Sequence, residues 1–533
     1  MAVEILWAAS GAVVLILEAE EPQALPELED FPTVLALKRC LARRLRLPRF
    51  RLRVLSEKGD VLVNAEPVEW PCRLGLVQLA YVDVDHLSME MIALACQNDE
   101  AEDLAEALEK PIDPGKLLEY DPTLLCLAAE QNFMDSLELL LEAFADPNRG
   151  DLDGSPLLCA AQEGHEEILQ LLLDAGAEKD QSNGDDETTA LQIASQNGHL
   201  EICRLLLTAR ADPHKAMVDG STALFLAALN GHQDVLRFLL EQKCDVDAQV
   251  TDAGTSPLHA AAHEGHPQVV KLLLHSGAGI NLRSTRGLSP LHLAASEGHK
   301  EVVGLLLQSR AEHDQLSGLG TTPLLTAVQA CHLEVVQMLL EVKARKDLGR
   351  PMDCATPLHF ALSNSQLPMV HLLLRARVDV NAVMKDDGAV PLHLAVQTRR
   401  LEMVSSLLEL RATSRARTDG TTPLHIAAGQ GDSRIACALL LAKADADACA
   451  EEEGATPLHW AVLEGHLEVV KVLLQQGACK DIRLKNQPDS SATALNLAIS
   501  HGHRHIVTHL LRNDMGDTAT PKRRKIREEE LNE

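Results

Sequence analysis

Short apolar stretches with helical spacing alternate with polar turns over most of this 533-residue chain. In one segment, Leu291 and Ala294 lie three positions apart, and an apolar run from Val302 to Leu307 follows after Gly298. Apolar residues three and four positions apart predict amphipathic helices. The glycine predicts that the first helix ends in a left-handed conformation. The pattern therefore predicts a helix–turn–helix unit followed by a loop.

A recurring phrase, Thr-Pro-Leu-His-x-Ala followed by Gly-His, marks each unit, and its fullest copies begin at Thr456 and Ser289. A Thr or Ser at the helix N-cap accepts a hydrogen bond from a free backbone N–H. Proline suits the first helical position. Twelve copies at a spacing of 32–37 residues predict a stacked array. They begin at positions 123, 155, 189, 222, 256, 289, 322, 356, 390, 422, 456 and 493, and each repeat is named below by that number.

Some copies depart from the phrase. Repeat 390 has Val390 where the others have a hydroxyl, and Arg399-Arg400 replaces its Gly-His pair. Repeat 356 has Ser365-Gln366 in that place. Because helix ends without these residues lose their preferred caps, we predict weaker cooperativity around repeats 356 and 390.

The phrase resembles the ankyrin repeat, and the resemblance covers residues 120–512. It implies a mostly α fold, an α-solenoid of about 12 antiparallel helix pairs whose concave side, formed by loop tips and first helices, binds proteins. The array is assigned to residues 122–513. Residues 86–121 are predicted to form a degenerate helical capping repeat, because a stack of repeats needs a cover at its open end.

The first 85 residues follow a different pattern. Two apolar stretches at 3–10 and 12–19 predict a β-hairpin, and residues 33–47 have one apolar helical face. Strand-like segments follow at 50–55, 61–64 and 74–82. This ββαββ order resembles the ubiquitin-like β-grasp fold, which implies a small α+β domain over residues 1–85.

Two features limit what that second resemblance implies. The segment ends at Asp83 without a terminal Gly-Gly, which excludes a conjugated modifier, and Arg51 and Arg53 replace an apolar recognition surface. Residues 38–58 hold nine basic residues and one acidic residue. We interpret them as a solvated face that includes Arg39, with a docking patch for an acidic partner as the alternative.

Composition narrows the class of protein. A net charge of −29 argues against a nucleic-acid partner, since phosphate contacts need a basic face. The twelve cysteines contain no CxxC pair, which predicts reduced thiols in the cytoplasm or nucleus. No apolar run approaches the roughly 20 residues of a membrane span. The apolar run at 5–17 has no basic residue before it, which argues against a signal peptide.

Histidine is abundant, but 14 of the 23 occupy the two repeat positions. Three others, His501, His505 and His509, have a spacing that puts them on one helical face, where they could hold a metal. No carboxylate or thiolate cluster accompanies them, so no metal, cofactor or catalytic residue is predicted. Phosphate-binding loops, kinase motifs and paired cysteine sets are absent from the sequence, which predicts that the protein is not an enzyme.

Residues 514–533 form a polar tail that is predicted to be disordered. Four consecutive basic residues in it resemble a nuclear-import signal, with a simple solvated tail as the alternative. Thr520 resembles a proline-directed phosphosite, where a phosphate would offset part of the basic charge. The basic residues are Lys522, Arg523, Arg524 and Lys525.

We therefore predict a monomeric, non-enzymatic scaffold that binds protein partners on the concave ankyrin surface, in the cytoplasm and possibly the nucleus. The alternative is a ubiquitin-pathway adaptor that links a client on the array to the degradation machinery. The two residues before each Gly-His pair end the first helix and need not face the core. Leu229 is apolar where neighbouring copies are mostly polar, and interface centres favour such anchors. The predicted partner-binding residues are Leu229, Asn230, His263, Glu264, Ser296 and Glu297.

Overall fold

The structure is a computed structural model. It describes residues 2–7, 13–18, 38–39, 52–55, 73–78, 94–96, 98–108, 124–143, 145–150, 154–182, 186–450, 454–485 and 492–514. Residue contacts divide the chain into two units, each described by itself below. The N-terminal unit is Met1–Asp252 with His275–Gly277, and the C-terminal unit is Ala253–Leu274 with Ala278–Glu533.

Four strands near the N-terminus form one sheet. They are β1 (Ala2–Trp7), β2 (Val13–Glu18), β3 (Leu52–Leu55) and β4 (Arg73–Gln78), in the order β2-β1-β4-β3. β1 pairs antiparallel with β2 and parallel with β4, while β3 pairs antiparallel with β4. The predicted strand at 61–64 and most of the predicted helix at 33–47 lie outside the described residues.

Helices account for most of the remaining described chain, and each of the twelve sequence copies forms a helix pair, as predicted. One further helix, Ala101–Leu108, precedes them and buries Leu104 and Leu108, in the segment predicted to cap the array. The first helices are Leu124–Glu130, Pro156–Glu163, Ala190–Asn197, Ala223–Leu229, Pro257–Glu264, Pro290–Glu297, Pro323–Gln329, Pro357–Ser363, Pro391–Gln397, Pro423–Gln430, Pro457–Leu463 and Ala494–Ser500. The second helices are Met134–Glu142, Glu166–Asp174, Leu200–Thr208, Gln233–Glu241, Pro267–His275, Lys300–Gln308, Leu333–Glu341, Leu367–Arg375, Leu401–Glu409, Ser433–Leu441, Leu467–Gln475 and Arg504–Asp514.

Within each unit, successive first helices pack against one another, and so do successive second helices. The apolar side chains predicted from the 3.6-residue period supply this core. In repeat 289, for example, Leu291, Ala294, Val302, Val303 and Leu306 are all buried. Small alanines in the first helix allow the second helix to approach closely.

The histidine of the Leu-His pair connects neighbouring repeats. In repeat 289, His292 Nδ1 accepts from the backbone N–H of Ser289 at 3.1 Å and lies 2.8 Å from its hydroxyl. Its Nε2 is 3.0 Å from the carbonyl of Thr321 in the next repeat. Because Nδ1 accepts, Nε2 carries the proton and donates to that carbonyl. The same pattern holds for His259, His393, His425 and His459.

Hydroxyl caps differ from the sequence prediction in several histidine-bearing repeats, although Thr422 still accepts from the His425 N–H at 3.4 Å. Ser155, Thr222 and Thr322, whose repeats lack this histidine, accept from a backbone N–H three residues later. Ser289 instead directs its hydroxyl to the imidazole. Val390 has no side-chain oxygen, yet its N–H still reaches His393 Nδ1 at 3.1 Å. Repeat 390 therefore keeps part of the cap that its sequence appeared to lose.

Burial keeps these histidines neutral. It lowers the pKa of His292, His359 and His393 from 6.5 to about 4. Burial lowers the pKa of His425 and His459 as well. A protonated ring would lose its acceptor at Nδ1 and would leave a charge in an apolar setting.

The Gly-His pair forms a second connection, here called the glycine–histidine lock. At six junctions the histidine ring lies where a Cβ on the preceding repeat's glycine would be, with Gly265–His299 and Gly298–His332 approaching to 2.4 Å. Its Nε2 lies within hydrogen-bond distance of the carbonyl two residues before that glycine; His299 reaches His263 at 2.8 Å. The glycine thus provides both a left-handed helix end and the space for the ring. His165 instead lies opposite Asn132, which has a φ of 62°.

Three consecutive junctions of the C-terminal unit lack the lock. Cys331, Ser365 and Arg399 replace the glycine and keep its left-handed conformation, with φ of 69°, 55° and 59°. The following repeats have Gln366, Arg400 and Asp432 in place of histidine. At the third junction the Gln430 amide donates to the Gln397 carbonyl at 3.2 Å, which is the acceptor that a histidine would have used.

Hairpin loops follow the second helices, and their tips are held to one another by backbone hydrogen bonds. In the C-terminal unit, the N–H of Gly318 reaches the Arg286 carbonyl at 2.7 Å, and that of Lys385 reaches Asp353 at 2.9 Å. Gly320 is packed closely against Pro351 of the next tip, because a Cβ on it would lie 2.3 Å from Cδ. The tips of adjacent repeats therefore form a continuous row.

The N-terminal unit contains one correction to the sequence analysis. Arg39, interpreted there as part of a solvated face, forms ion pairs with Glu138 and Glu142 of the second helix of repeat 123. Lys38 beside it is buried. The sequence could not indicate these pairs because their members are about a hundred residues apart.

The buried histidines predict sensitivity to acid. Their folded-state pKa lies below the unfolded value, so the unfolded chain binds more protons, and stability present above pH 6.5 is lost as the pH falls toward 4. Lowering the pH from 7 to 5 should destabilise the C-terminal unit by on the order of 2 kcal/mol per such histidine, measured by urea unfolding.

A natural control exists in repeat 189, where Gln192 replaces the histidine. Its Oε1 accepts from the Thr189 N–H at 2.8 Å, and its Nε2 donates to the Lys215 carbonyl at 2.9 Å. The variant His292→Gln should therefore fold at pH 7 and lose less stability on acidification than the parent chain. An unchanged pH dependence would contradict the assignment to His292.

The missing locks predict faster local opening. Amide hydrogen exchange should be faster in repeats 356 and 390 than in repeats 256 and 289, because non-glycine residues at positive φ cost on the order of 1 kcal/mol each. Restoring one lock with Cys331→Gly and Gln366→His together should slow exchange at that junction.

The single variant Gln366→His is the matched control for this prediction. At the glycine-containing junctions, a Cβ built on the glycine would lie only 2.4–2.7 Å from the nearest atom of the histidine ring. Cys331 has such a Cβ, so the new ring would collide with it. The single variant should therefore destabilise the repeat, while the double variant stabilises it. If the effects of Cys331→Gly and Gln366→His on stability were simply additive, the result would contradict the glycine–histidine lock.

Candidate interaction surface

Two large apolar side chains are exposed on adjacent hairpin tips of the C-terminal unit. Leu319 is 73% exposed and Met352 is 61% exposed. Gly320 and Pro351, which follow and precede them in sequence, are in close contact across the two tips. Backbone hydrogen bonds join each of the two tips to its other neighbour, and the contact between Gly320 and Pro351 joins the two tips to each other. An exposed apolar pair on a fixed backbone is a typical anchor for a protein partner.

The predicted binding residues of the N-terminal unit lie at the end of the first helix of repeat 222. Leu229 is the last residue of Ala223–Leu229 and is half-buried. Asn230 is the exposed C-cap, and its amide donates to the Leu226 carbonyl at 3.0 Å. A charge at Leu229 would consequently disturb packing as well as any contact with a partner.

The predicted residues of the C-terminal unit include a charged cluster. His263 Nδ1 lies 2.8 Å from a Glu264 carboxylate oxygen, and its Nε2 lies 3.9 Å from one of Glu297. All three side chains are close to half exposed. Ser296 contributes its carbonyl, which accepts from His332 at 2.8 Å. The first-helix ends of repeats 256 and 289 thus come together, with two carboxylates facing one imidazole.

The predicted tail residues lie outside the described residues, as does Arg51, whereas Arg53 lies in β3 and pairs with Val77 of β4. No three potential metal ligands come together among the residues that the structure describes. His501 is stacked against His503 at 6.2 Å between ring centroids. None of the helices in the described ranges has the length and apolar character needed to cross a membrane.

None of the described cysteines forms a disulfide. Cys203 is buried, and burial raises its pKa to about 11. Cys331, Cys354 and Cys449 are exposed, and Cys331 and Cys354 occupy left-handed positions in loops.

The family comparison agrees with this geometry. The family described as ankyrin repeats (3 copies) matches residues 92–183, 177–250, 258–350, 342–417 and 410–486. Because these ranges cover well over half of the chain, the protein belongs to the ankyrin-repeat family. No curated protein matches the chain.

The family match begins at residue 92, inside the predicted capping segment. It does not extend to the N-terminal sheet, so the ubiquitin-like assignment stays a prediction. Sequence reasoning missed Leu319 and Met352 because both lie in loops, where apolar residues carry no periodic signal. The recurring turn glycines, such as Gly320, mark the loop tips and are the one signal that could have directed attention to their neighbours.

Proposed function

We propose that this ankyrin-repeat protein is a non-enzymatic scaffold that binds a protein partner along the face made by its hairpin tips and first-helix ends. The observation that carries the proposal is the exposed pair Leu319 and Met352 on adjacent tips. Isolated exposed apolar residues are ordinary in proteins. Two of them on neighbouring tips that pack together through Gly320 and Pro351 form a small anchor whose desolvation would favour binding.

The charged cluster of His263, Glu264 and Glu297 supports a polar rim to the same face. Interfaces commonly surround an apolar centre with polar groups that remain partly solvated. Two carboxylates near one imidazole favour a partner that presents a basic group there. Leu229 and Asn230 are proposed as contacts of the N-terminal unit, as the sequence analysis predicted.

The apolar anchor can be tested directly. The variant Leu319→Asp with Met352→Asp should lose most of the partner recovered by affinity purification of the full chain. Its melting temperature should stay nearly unchanged, because exposed substitutions usually alter stability by about 0.5 kcal/mol or less.

A matched control places the same charges elsewhere. Leu333 and Leu511 are also exposed apolar residues, but they lie on second helices. Their double change to aspartate should leave partner recovery intact. Equal recovery with both double variants would remove Leu319 and Met352 from the interface.

We also propose that residues 1–85 form a ubiquitin-like β-grasp module, with a ubiquitin-pathway adaptor as the alternative function. The sheet order β2-β1-β4-β3, with β1 and β4 parallel at its centre, supports this proposal. Proteasome or ligase subunits that co-purify with the full chain, and are lost without residues 1–85, would favour the adaptor. Their absence would leave the scaffold proposal alone.

The tail prediction concerns location in the cell, which we propose to be cytoplasmic and nuclear. Deleting residues 516–533 should leave melting unchanged, since this segment has no periodic apolar face to bury. If Lys522–Lys525 act as an import signal, the same deletion should move the protein from nucleus to cytoplasm. An unchanged distribution by fluorescence microscopy would contradict the signal.

A further inference from the structure

The second helices of five consecutive repeats in the C-terminal unit end next to a basic residue in a left-handed conformation. The φ angles of these residues lie between 57° and 66°. All five side chains are exposed. They belong to repeats 289, 322, 356, 390 and 422 and are called the helix-end cations here: Arg310, Lys343, Arg377, Arg411 and Lys443.

This backbone conformation favours glycine over any residue with a Cβ. Repeat 456 has Gly477 at the equivalent position, with φ of 91°, and nothing lies within 4 Å of the place where its Cβ would be. A side chain there has room but no packing partner. A cation near a helix C-terminus interacts favourably with the helix dipole, which is the structural explanation for these residues. That explanation does not require the exposed apolar residues described next.

Apolar side chains accompany the cations. Val342 and Leu410 directly precede Lys343 and Arg411, and Leu441 lies two residues before Lys443; all three are exposed. Beside the first cation lies an open cleft of about 500 Å³. Its lining combines Arg310, Leu307 and Val342 with the acidic residues Glu312 and Asp314. The helix ends thus present alternating apolar and cationic groups.

None of the five forms an ion pair with any residue that the structure describes. Glu341 and Glu409 lie two residues before Lys343 and Arg411, so the charge around these two cations is locally mixed. Even so, residues 342–417 hold twelve Lys or Arg against seven Asp or Glu, in a chain whose net charge is −29. This stretch is therefore the part of an acidic protein that suits an acidic partner.

We propose that the helix-end cations and the apolar residues beside them bind an extended, acidic segment of a partner protein. Packed helices lie about 8–10 Å apart, and an extended chain advances about 3.3–3.6 Å per residue. Carboxylates at every third residue would therefore meet successive cations. The intervening apolar side chains would contact Val342, Leu410 and Leu441. The large negative charge of the whole chain disfavours nucleic acid as the occupant.

This surface goes beyond the proposed scaffold face, since it uses the ends of second helices and none of the hairpin-tip residues. The two can fail separately. A chain with Leu319→Asp and Met352→Asp should still bind an acidic peptide at the helix ends. A chain altered at the helix ends should still recover the partner held by the tips.

The test uses the full chain and a labelled peptide of five Glu-Leu-Ser repeats, measured by fluorescence anisotropy. The variant Lys343→Gly, Arg377→Gly and Arg411→Gly should bind the peptide roughly tenfold more weakly, as expected for the loss of three exposed ion pairs. Wild-type binding should weaken as salt is raised. The glycine variant should melt no lower than the parent, because glycine suits the left-handed backbone.

The control removes the same charge from other places in the C-terminal unit. Arg286, Lys300 and Arg434 are exposed and lie away from the C-terminal ends of the second helices. Their change to alanine should leave peptide binding unchanged. Equal weakening by both triple variants would show a net-charge effect and overturn the proposal. So would absence of wild-type binding, or tighter binding of a duplex oligonucleotide. A glycine variant that melts lower yet binds the peptide normally would assign the cations to helix stabilisation alone.

Discussion

A neutral, buried imidazole that bonds to two repeats at once is the interaction on which the array depends. At His292, one nitrogen receives the N–H that begins its own first helix, and the other donates to a carbonyl beside the next helix start. Helix initiation and repeat stacking are therefore fixed by the same ring. The hairpin tips lie on the chain that enters each of these helix starts, so their positions are set by it as well. The interaction holds only while the ring is uncharged, which ties the architecture to pH.

The glycine–histidine lock adds a steric condition to this arrangement. A glycine in one repeat and a histidine in the next are complementary, and the chain changes them together at three consecutive junctions. Cys331 is followed by Gln366, Ser365 by Arg400 and Arg399 by Asp432. A histidine ring held as at the glycine junctions would lie against a Cβ here, a combination that the chain has where His165 lies opposite Asn132. The central repeats consequently rely on apolar packing and on substitutes such as the bond from Gln430 to Gln397.

The sequence was sufficient for features with a fixed local cause. Helix starts follow the cap and proline, and first helices end near the predicted glycines, as at Gly164 and Gly298. It was insufficient where a different residue type makes the same kinds of hydrogen bond. Gln192, for example, accepts and donates as a histidine at this position does. The helix-end cations were missed because positive φ at Arg310 or Arg377 is a backbone property that no periodic pattern reports. The exposure of Leu319 and Met352 likewise depends on how successive loops stack.

The pairing of glycine and histidine sets where such an array can be shortened or recombined. A glycine–histidine lock forms across a new junction only if one repeat has the glycine and the next has the histidine. Removing repeat 322 alone would place Gly298 against Gln366, leaving an unfilled space beside the glycine. Removing repeats 322, 356, 390 and 422 together would place Gly298 against His466 and form a matched lock. Across these three junctions the unit of exchange is thus a block of repeats bounded by matched junctions. Repeats 189 and 289 each have both the glycine and the histidine, so either could be removed singly with a lock preserved.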